Sequence, residues 1–169
     1  MMENRRVTEW LIDDHRRLHA LLEKARTSEP FDAAAFATFR AGLLRHIGIE
    51  EKILLPAARR ARGGVALERA WDLRLDHAAL TSLLVPTPDA ALCGEIMSIL
   101  GPHDEKEEGA SGVYAECERL WSDEESRALT ERVAAFPAIP LAAHFDGPGA
   151  LRTAKTAIAA AQRLRRSKP

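Results

Sequence analysis

The sequence predicts an all-α fold: an up-down-up-down four-helix bundle with an additional short helix and a C-terminal amphipathic helix. Three observations carry this. The chain is rich in Ala, Leu, Glu and Arg, with aromatics at only 5%, a composition that favours helix. Apolar residues recur with a period near 3.6, and no stretch alternates convincingly with period 2. Short Pro- and Gly-bearing breaks separate four long helical stretches, and short connections between long helices imply antiparallel neighbours.

The first helix is expected from Thr8, its N-cap, to Arg26. Its seam is Leu11, His15, Leu18, Leu22 and Ala25, and Ser28-Glu29-Pro30 ends it. The second is expected from Asp32 to Arg62, with seam Phe36, Phe39, Leu43, His46, Glu50, Ile53 and Ala57. Pro56 should kink it, because a proline inside a helix removes a hydrogen bond; Gly63-Gly64 then breaks the chain. The third is expected from Ala66 to Leu84, with seam Ala66, Ala70, Leu73, His77, Leu80 and Leu84, closed by Pro86-Thr87-Pro88. The fourth is expected from Asp89 to Leu120, kinked at Gly101-Pro102. Its lower seam is His103, Glu107, Ala110, Tyr114, Cys117 and Trp121.

Ser122-Asp-Glu-Glu125 reads as a capping box that starts a short helix ending near Phe136. A loop from Pro137 to Pro148 leads to a last helix, Gly149 to Arg166. Its apolar face is Leu151, Ala154, Ile158, Ala161 and Leu164; the other face carries Arg152, Lys155, Arg163, Arg165 and Arg166 and reads as solvated. Residues 1–136 are expected to form the bundle, and 137–169 to pack on it within the same domain.

Composition narrows the function. The 169 residues are 46% hydrophobic and 29% charged, which suits one domain with a real core. A net charge of −1 argues against nucleic acid or an anionic membrane as partner. No apolar run reaches the roughly 20 residues of a membrane span, and the start of the chain lacks the apolar stretch of a secretory signal, so a cytoplasmic location is expected. Cys93 and Cys117 fall on apolar seams and read as buried free thiols.

The chemistry lies in six polar residues placed where the apolar seams should continue. Residues at i and i+4 stack on one helix face, so His46 projects with Glu50 and His103 with Glu107. His15 and His77 occupy seam positions on the other two helices. Burying them unpaired would cost several kcal/mol each. A metal relieves this by neutralising the carboxylates and engaging the imidazole nitrogens. Six ligands exceed a tetrahedral structural zinc site and suit two metals: two histidines each, with both glutamates bridging. Mixed imidazole and carboxylate ligation fits non-haem iron, with manganese and zinc as alternatives. The set is also duplicated. Asp14-His15-x-x-Leu18 is echoed by Asp76-His77-x-x-Leu80, and His46-x-x-x-Glu50-Glu51 by His103-x-x-x-Glu107-Glu108.

The order His, His-x-x-x-Glu, His, His-x-x-x-Glu on successive helices resembles the haemerythrin-like HHE cation-binding family, over about Glu9 to Trp121. The phrases DDHRRLHALL, HIGIEEKILLPA, LDHAAL and HDEKEE carry the likeness. The resemblance implies a bundle with a di-iron centre, oxo- or hydroxo-bridged, that meets dioxygen, nitric oxide or peroxide. It makes His15, His46, Glu50, His77, His103 and Glu107 the metal ligands. Two departures separate the chain from the oxygen-carrying haemerythrins: Leu73 stands where they have a fifth histidine, and Glu107 replaces an aspartate spaced one residue further on. The four-histidine pattern is more similar to the di-iron proteins linked to iron–sulfur cluster repair and to other bacterial members.

Several residues near the six carry alternatives. Asp14 and Asp76 either accept the outer N–H of a histidine on a neighbouring helix or lie on a solvated face. Glu51 and Glu108 point about 100° from the bridging glutamates and read as outer partners or solvated. His19 is a fifth histidine ligand or sits near the pocket or, more simply, is a flank residue, hydrogen-bonded or exposed; His144 reads as a surface histidine. Tyr114, two turns beyond Glu107 along the same face, either lines the pocket and donates to a bound ligand or is core. Trp10, Trp71 and Trp121 read as packing residues or an oligomer patch. The leading functional expectation is a protein that binds or senses dioxygen or nitric oxide. The alternatives are a di-iron redox enzyme acting on peroxide, nitric oxide or oxygen, with metal-borne catalysis, and an iron-handling or regulatory interaction module.

Overall fold

Hydrogen-bonded caps and glycine turns divide the chain into its helices. The computed structural model describes residues 5–167, and no strand occurs among the described residues. The structure is all-helical.

Helix α1 (Val7–Thr27) buries Val7, Leu11, His15, Leu18, Leu22 and Ala25, the expected seam extended by one residue. It begins one residue before Thr8. The Glu9 carboxylate accepts the Arg6 backbone N–H at 3.1 Å, so Arg6 is the cap, and the buried Thr8 hydroxyl turns to Glu118. Helix α2 (Ala33–Ile49) is capped by Asp32, which accepts the Ala35 N–H at 2.9 Å.

Where Pro56 was expected to kink this helix, the chain instead widens into a π-helical turn (Glu50–Leu54) before continuing as α3 (Leu55–Ala61). Pro56 has no N–H to give, and the wider turn just ahead of it takes up the mismatch. Ile53, Leu54 and Leu55 are all buried as a result.

Helix α4 (Ala70–Leu83) starts four residues later than expected. A turn closed by the Ala70 N–H on the Leu67 carbonyl comes first and buries Leu67. Helix α5 (Ala90–Glu108), capped by Asp89 on the Leu92 N–H, runs through Gly101-Pro102 without ending there. It stops at Gly109 instead. A Cβ on Gly112 would lie 2.4 Å from the Glu107 carbonyl oxygen, and one on Gly109 2.6 Å from that of Glu105. Only glycine lets the chain fold this tightly over the helix end. After it come α6 (Val113–Glu118) and α7 (Asp123–Ala134), the latter opened by the expected Ser122–Glu125 capping box.

Helix α8 (Ala154–Arg166) starts at a Thr153 cap, later than Gly149, which sits in a turn at φ 91°. Ala157 and Ala161 are its buried positions, and Leu164, expected on the apolar face, is exposed.

Helix α1 packs against α2 and α5, and α4 against α5 and α8. Helix α7 closes over α1 and the π-helical turn. The core is split in two. One apolar cluster gathers Leu18, Leu22, Phe36, Phe39, Leu43, Leu80, Ile96 and Leu100. The other gathers Val7, Leu11, Ile49, Ile53, Leu73, Tyr114, Cys117 and Val133. Along α1, His15 falls between Leu11 of one cluster and Leu18 of the other; on the following helix His46 falls likewise between Leu43 and Ile49. The six predicted residues form this intervening layer.

Cys93 and Cys117 are buried free thiols, pushed up to about 11 and about 12 chiefly by burial. Trp121 is buried, Trp10 lies under the Arg45 guanidinium, and Trp71 is exposed between Arg74 and Arg165. No helix among the described residues is long and apolar enough to cross a membrane.

Gly112→Ala should cost about 1–3 kcal/mol, because the added methyl meets backbone rather than a movable side chain. Urea unfolding measures it; an unchanged midpoint would show that the turn after α5 has room to give.

Candidate metal centre

Each helix delivers its polar residues by its own periodicity. His15 comes from α1, His46 from the last turn of α2, Glu50 from the first residue of the π-helical turn, His77 from α4, and His103 and Glu107 from α5. All six are at most 5% exposed. They form two groups, His15–His46–Glu50–Glu107 and Glu50–His77–His103–Glu107, which share both glutamates.

The atoms that face one another are consistent around the site. His46 Nε2 lies 3.6 Å from Glu50 Oε1, and His15 Nε2 lies 3.2 Å from Glu107 Oε2. On the other side, His77 Nε2 is 3.1 Å from Glu50 Oε2, and His103 Nε2 is 3.2 Å from Glu107 Oε1. The His15 and His46 Nε2 atoms are 2.9 Å apart. Each glutamate thus turns one oxygen to each histidine pair.

These separations test the fit to metal ions. Bonds of roughly 2.0–2.2 Å to N and O ligands place neighbouring donors about 2.8–3.6 Å apart, from right-angled to tetrahedral arrangements. The observed spacings fall in that interval. Glu50 Oε2, His77 Nε2 and Glu107 Oε1 are shut off from solvent and have no hydrogen-bond partner, although they lie beside one another. Buried polar atoms are ordinarily satisfied. Orphans at contact distance but without hydrogen-bond geometry are what donors aimed at a shared ion look like. The residues present fit a pair of cations held by imidazole and carboxylate.

The outer edges of the four histidines are equally ordered. Asp14 Oδ2 meets His46 Nδ1 at 2.9 Å, Glu51 Oε1 meets His77 Nδ1 at 2.8 Å, and Asp76 Oδ2 meets His103 Nδ1 at 3.2 Å. Glu108 meets His15 Nδ1. A carboxylate on Nδ1 fixes the tautomer and turns Nε2 inward as a ligand. Asp14 and Asp76 therefore act on neighbouring helices, and Glu51 and Glu108 face the outer edges of His77 and His15. Three of these carboxylates are themselves held by cations: Asp14 by Arg17 at 2.7 Å, Glu51 by Arg74 at 2.9 Å, and Asp76 by Lys106 at 2.6 Å.

Sequence reasoning did not single out those three cations. The i,i+3 spacing of Asp14 and Arg17 was a usable signal; the pairings of Arg74 and Lys106 cross between helices and left none. His19 is not among the six. It bonds to Asp104, and both line a small cavity of about 10 Å³ with His15, His46 and His103. Asp104, which sequence reasoning missed, also forms with His15 and Glu108 a third, less buried group able to hold a metal ion. His144 is exposed.

Tyr114 reaches the site by another path than expected. The helix that was to carry it ends at Glu108, and α6, restarting after the glycine turn, brings its hydroxyl to 2.6 Å from Glu50 Oε1 and 3.2 Å from Glu107 Oε2. Burial, then the two carboxylates, push the phenol pKa well above its ordinary value.

Burial opposes charge on the histidines, but the carboxylates outweigh it. Glu50 and Asp14 raise His46 to about 10, and Glu107 and Asp76 raise His103 to about 11. His15 and His77 are raised as well, against burial, by Glu107 and by Glu50 with Glu51. Glu50 is held well below the usual carboxylate range despite burial, by His46 and His77.

Comparison of the chain with family models, with curated proteins and with solved structures found no match.

Two predictions follow from the geometry. Without metal, His46 and His103 carry protons at neutral pH. Their ion pairs stabilise the fold fully below the ordinary histidine value of 6.5 and less as pH rises through about 10 and 11. Metal must displace those protons, so binding should tighten with rising pH over the same window and release at least two protons at pH 7. Calorimetry in buffers of different ionisation enthalpy reads this directly; no proton release would contradict it. Asp76→Asn should weaken metal binding about 10–100-fold while leaving the helical content intact, measured by competition with a chelator.

Proposed function

We propose that this chain is a haemerythrin-like protein in which α1, α2, α4 and α5 form a four-helix bundle around a non-haem di-iron site. In this reading His15 and His46 would hold one iron and His77 and His103 the other, with Glu50 and Glu107 shared between them. The observation that supports it most is the pair of buried groups sharing both glutamates, with three donor atoms left without hydrogen-bond partners. Mixed imidazole and carboxylate donors suit iron, with manganese and zinc as chemical alternatives.

The function that fits best is binding or sensing a small diatomic ligand, dioxygen or nitric oxide. Two histidines and two bridging carboxylates leave each ion short of a full ligand shell, and a bound iron supplies redox and ligand-binding chemistry that no side chain has. The chain's own part is to hold and shield. The Nδ1 carboxylates keep every imidazole in its ligating tautomer, and the apolar clusters on either side keep bulk water out. Leu73, buried beside His77, adds no further donor there.

Metal analysis and visible spectra of the purified chain, with and without air, test this. About two irons per chain and a spectrum that changes with dioxygen or nitric oxide and reverts on its removal are expected. Glu50→Ala and Glu107→Ala should each abolish paired binding. No metal after anaerobic reconstitution would overturn the proposal; irreversible oxidation would overturn its ligand-binding part alone.

A further inference from the structure

The two halves of the site differ in what faces their inward atoms. On the His77/His103 side, Glu50 Oε2, His77 Nε2 and Glu107 Oε1 have no hydrogen-bond partner. On the His15/His46 side, the matching atoms face the Tyr114 hydroxyl: Glu50 Oε1 at 2.6 Å, Glu107 Oε2 at 3.2 Å and His15 Nε2 at 3.4 Å. Tyr114 is 2% exposed, and its ring stacks on that of His15. A core tyrosine needs one acceptor for its hydroxyl. This one sits among three atoms, each of which is a donor to the same metal position. Its 3.2 and 3.4 Å separations from Glu107 and His15 fall within the 2.9–3.6 Å separations of those donors from one another, and the 2.6 Å contact is its hydrogen bond to Glu50.

Among the described residues, no hydroxyl bonds the matching atoms on the other side. The residues after Glu50 that are buried, Ile53, Leu54 and Leu55, are apolar, and so is Leu73 in the same cluster as Tyr114.

We propose that the Tyr114 phenol oxygen is a fifth protein ligand of the ion held by His15, His46, Glu50 and Glu107. The two positions are then unequal. The His15/His46 ion is closed by tyrosine, and the His77/His103 ion, with four protein donors, is where a small ligand enters. The phenol oxygen exchanges its O–H bond, now donated to Glu50, for a bond to the cation, and the proton leaves to solvent with those of the histidines. This inference rests on the two-metal reading above.

Tyr114 is the chain's only tyrosine, so any tyrosinate signal belongs to it. The full chain, loaded with ferrous iron and oxidised in air, should show a visible phenolate-to-iron charge-transfer band. Resonance Raman excitation within that band should enhance tyrosine ring modes. Tyr114→Phe should keep about two irons per chain and lose both signals. Wild-type protein with two irons and no ring modes would overturn the assignment and leave the proposed function standing. Ring modes that persist in Tyr114→Phe would also overturn it. Absence of iron from the wild type would bring down both readings.

Discussion

Burying four imidazoles and two carboxylates in one layer costs several kcal/mol for every group left unpaired, so each of them must be met by a partner from a neighbouring helix. The partners form a closed ring. Asp14 of α1 holds His46 of α2, and Glu51 of the π-helical turn holds His77 of α4. Asp76 of α4 holds His103 of α5, and Glu108 of α5 holds His15 of α1. Four of the six inward residues have their outward partner-bearing neighbour next to them in sequence: Asp14-His15, Glu50-Glu51, Asp76-His77, Glu107-Glu108. Adjacent helical positions differ by about 100°, so one side chain points to the axis while the next reaches the adjoining helix. The ring closes only if the helices keep this order and this rotation. The site therefore constrains the packing as much as the packing constrains the site.

The same arrangement sets the charge of the buried layer. The carboxylates favour the protonated form of all four imidazoles against the cost of burial. In the proposed metal-bound state the cations would take over that positive charge against Glu50, Glu107 and the outer carboxylates. At the periphery Arg17, Arg74 and Lys106 pair with Asp14, Glu51 and Asp76.

The seams of the helices and the six inward residues were legible because both follow from local period: polar residues at i and i+4 in an apolar stripe stand out without knowledge of the fold. The starts of α2, α5 and α7 were legible through Asp32, Asp89 and the Ser122–Glu125 box for the same reason. What escaped depends on backbone events with no periodic trace. Pro56 suggested a bend but not the π-helical turn before it. Gly101-Pro102 looked like the stronger break, yet α5 ended at Gly109, where the close approach to the helix carbonyls required glycine. Tyr114 was placed near the site by assuming a continuous helix and arrives there by a turn and a new one. Of the alternatives held for Asp14, Asp76, Glu51 and Glu108, the choice turned on which helix lies beside which, and that is a property of the whole fold.

The polar layer also divides the apolar core, with Phe36, Phe39 and Leu80 on one side and Ile49, Leu73 and Val133 on the other. Hydrophobic contact spreads cooperativity only through continuous packing, and here the packing is interrupted at mid-height. Such a division favours separate opening of the two ends, coupled by the helices that pass through both and by whatever binds the layer together. The six side chains of the layer thus lie where the two ends meet, and what binds them bears on whether the chain opens as one body or as two.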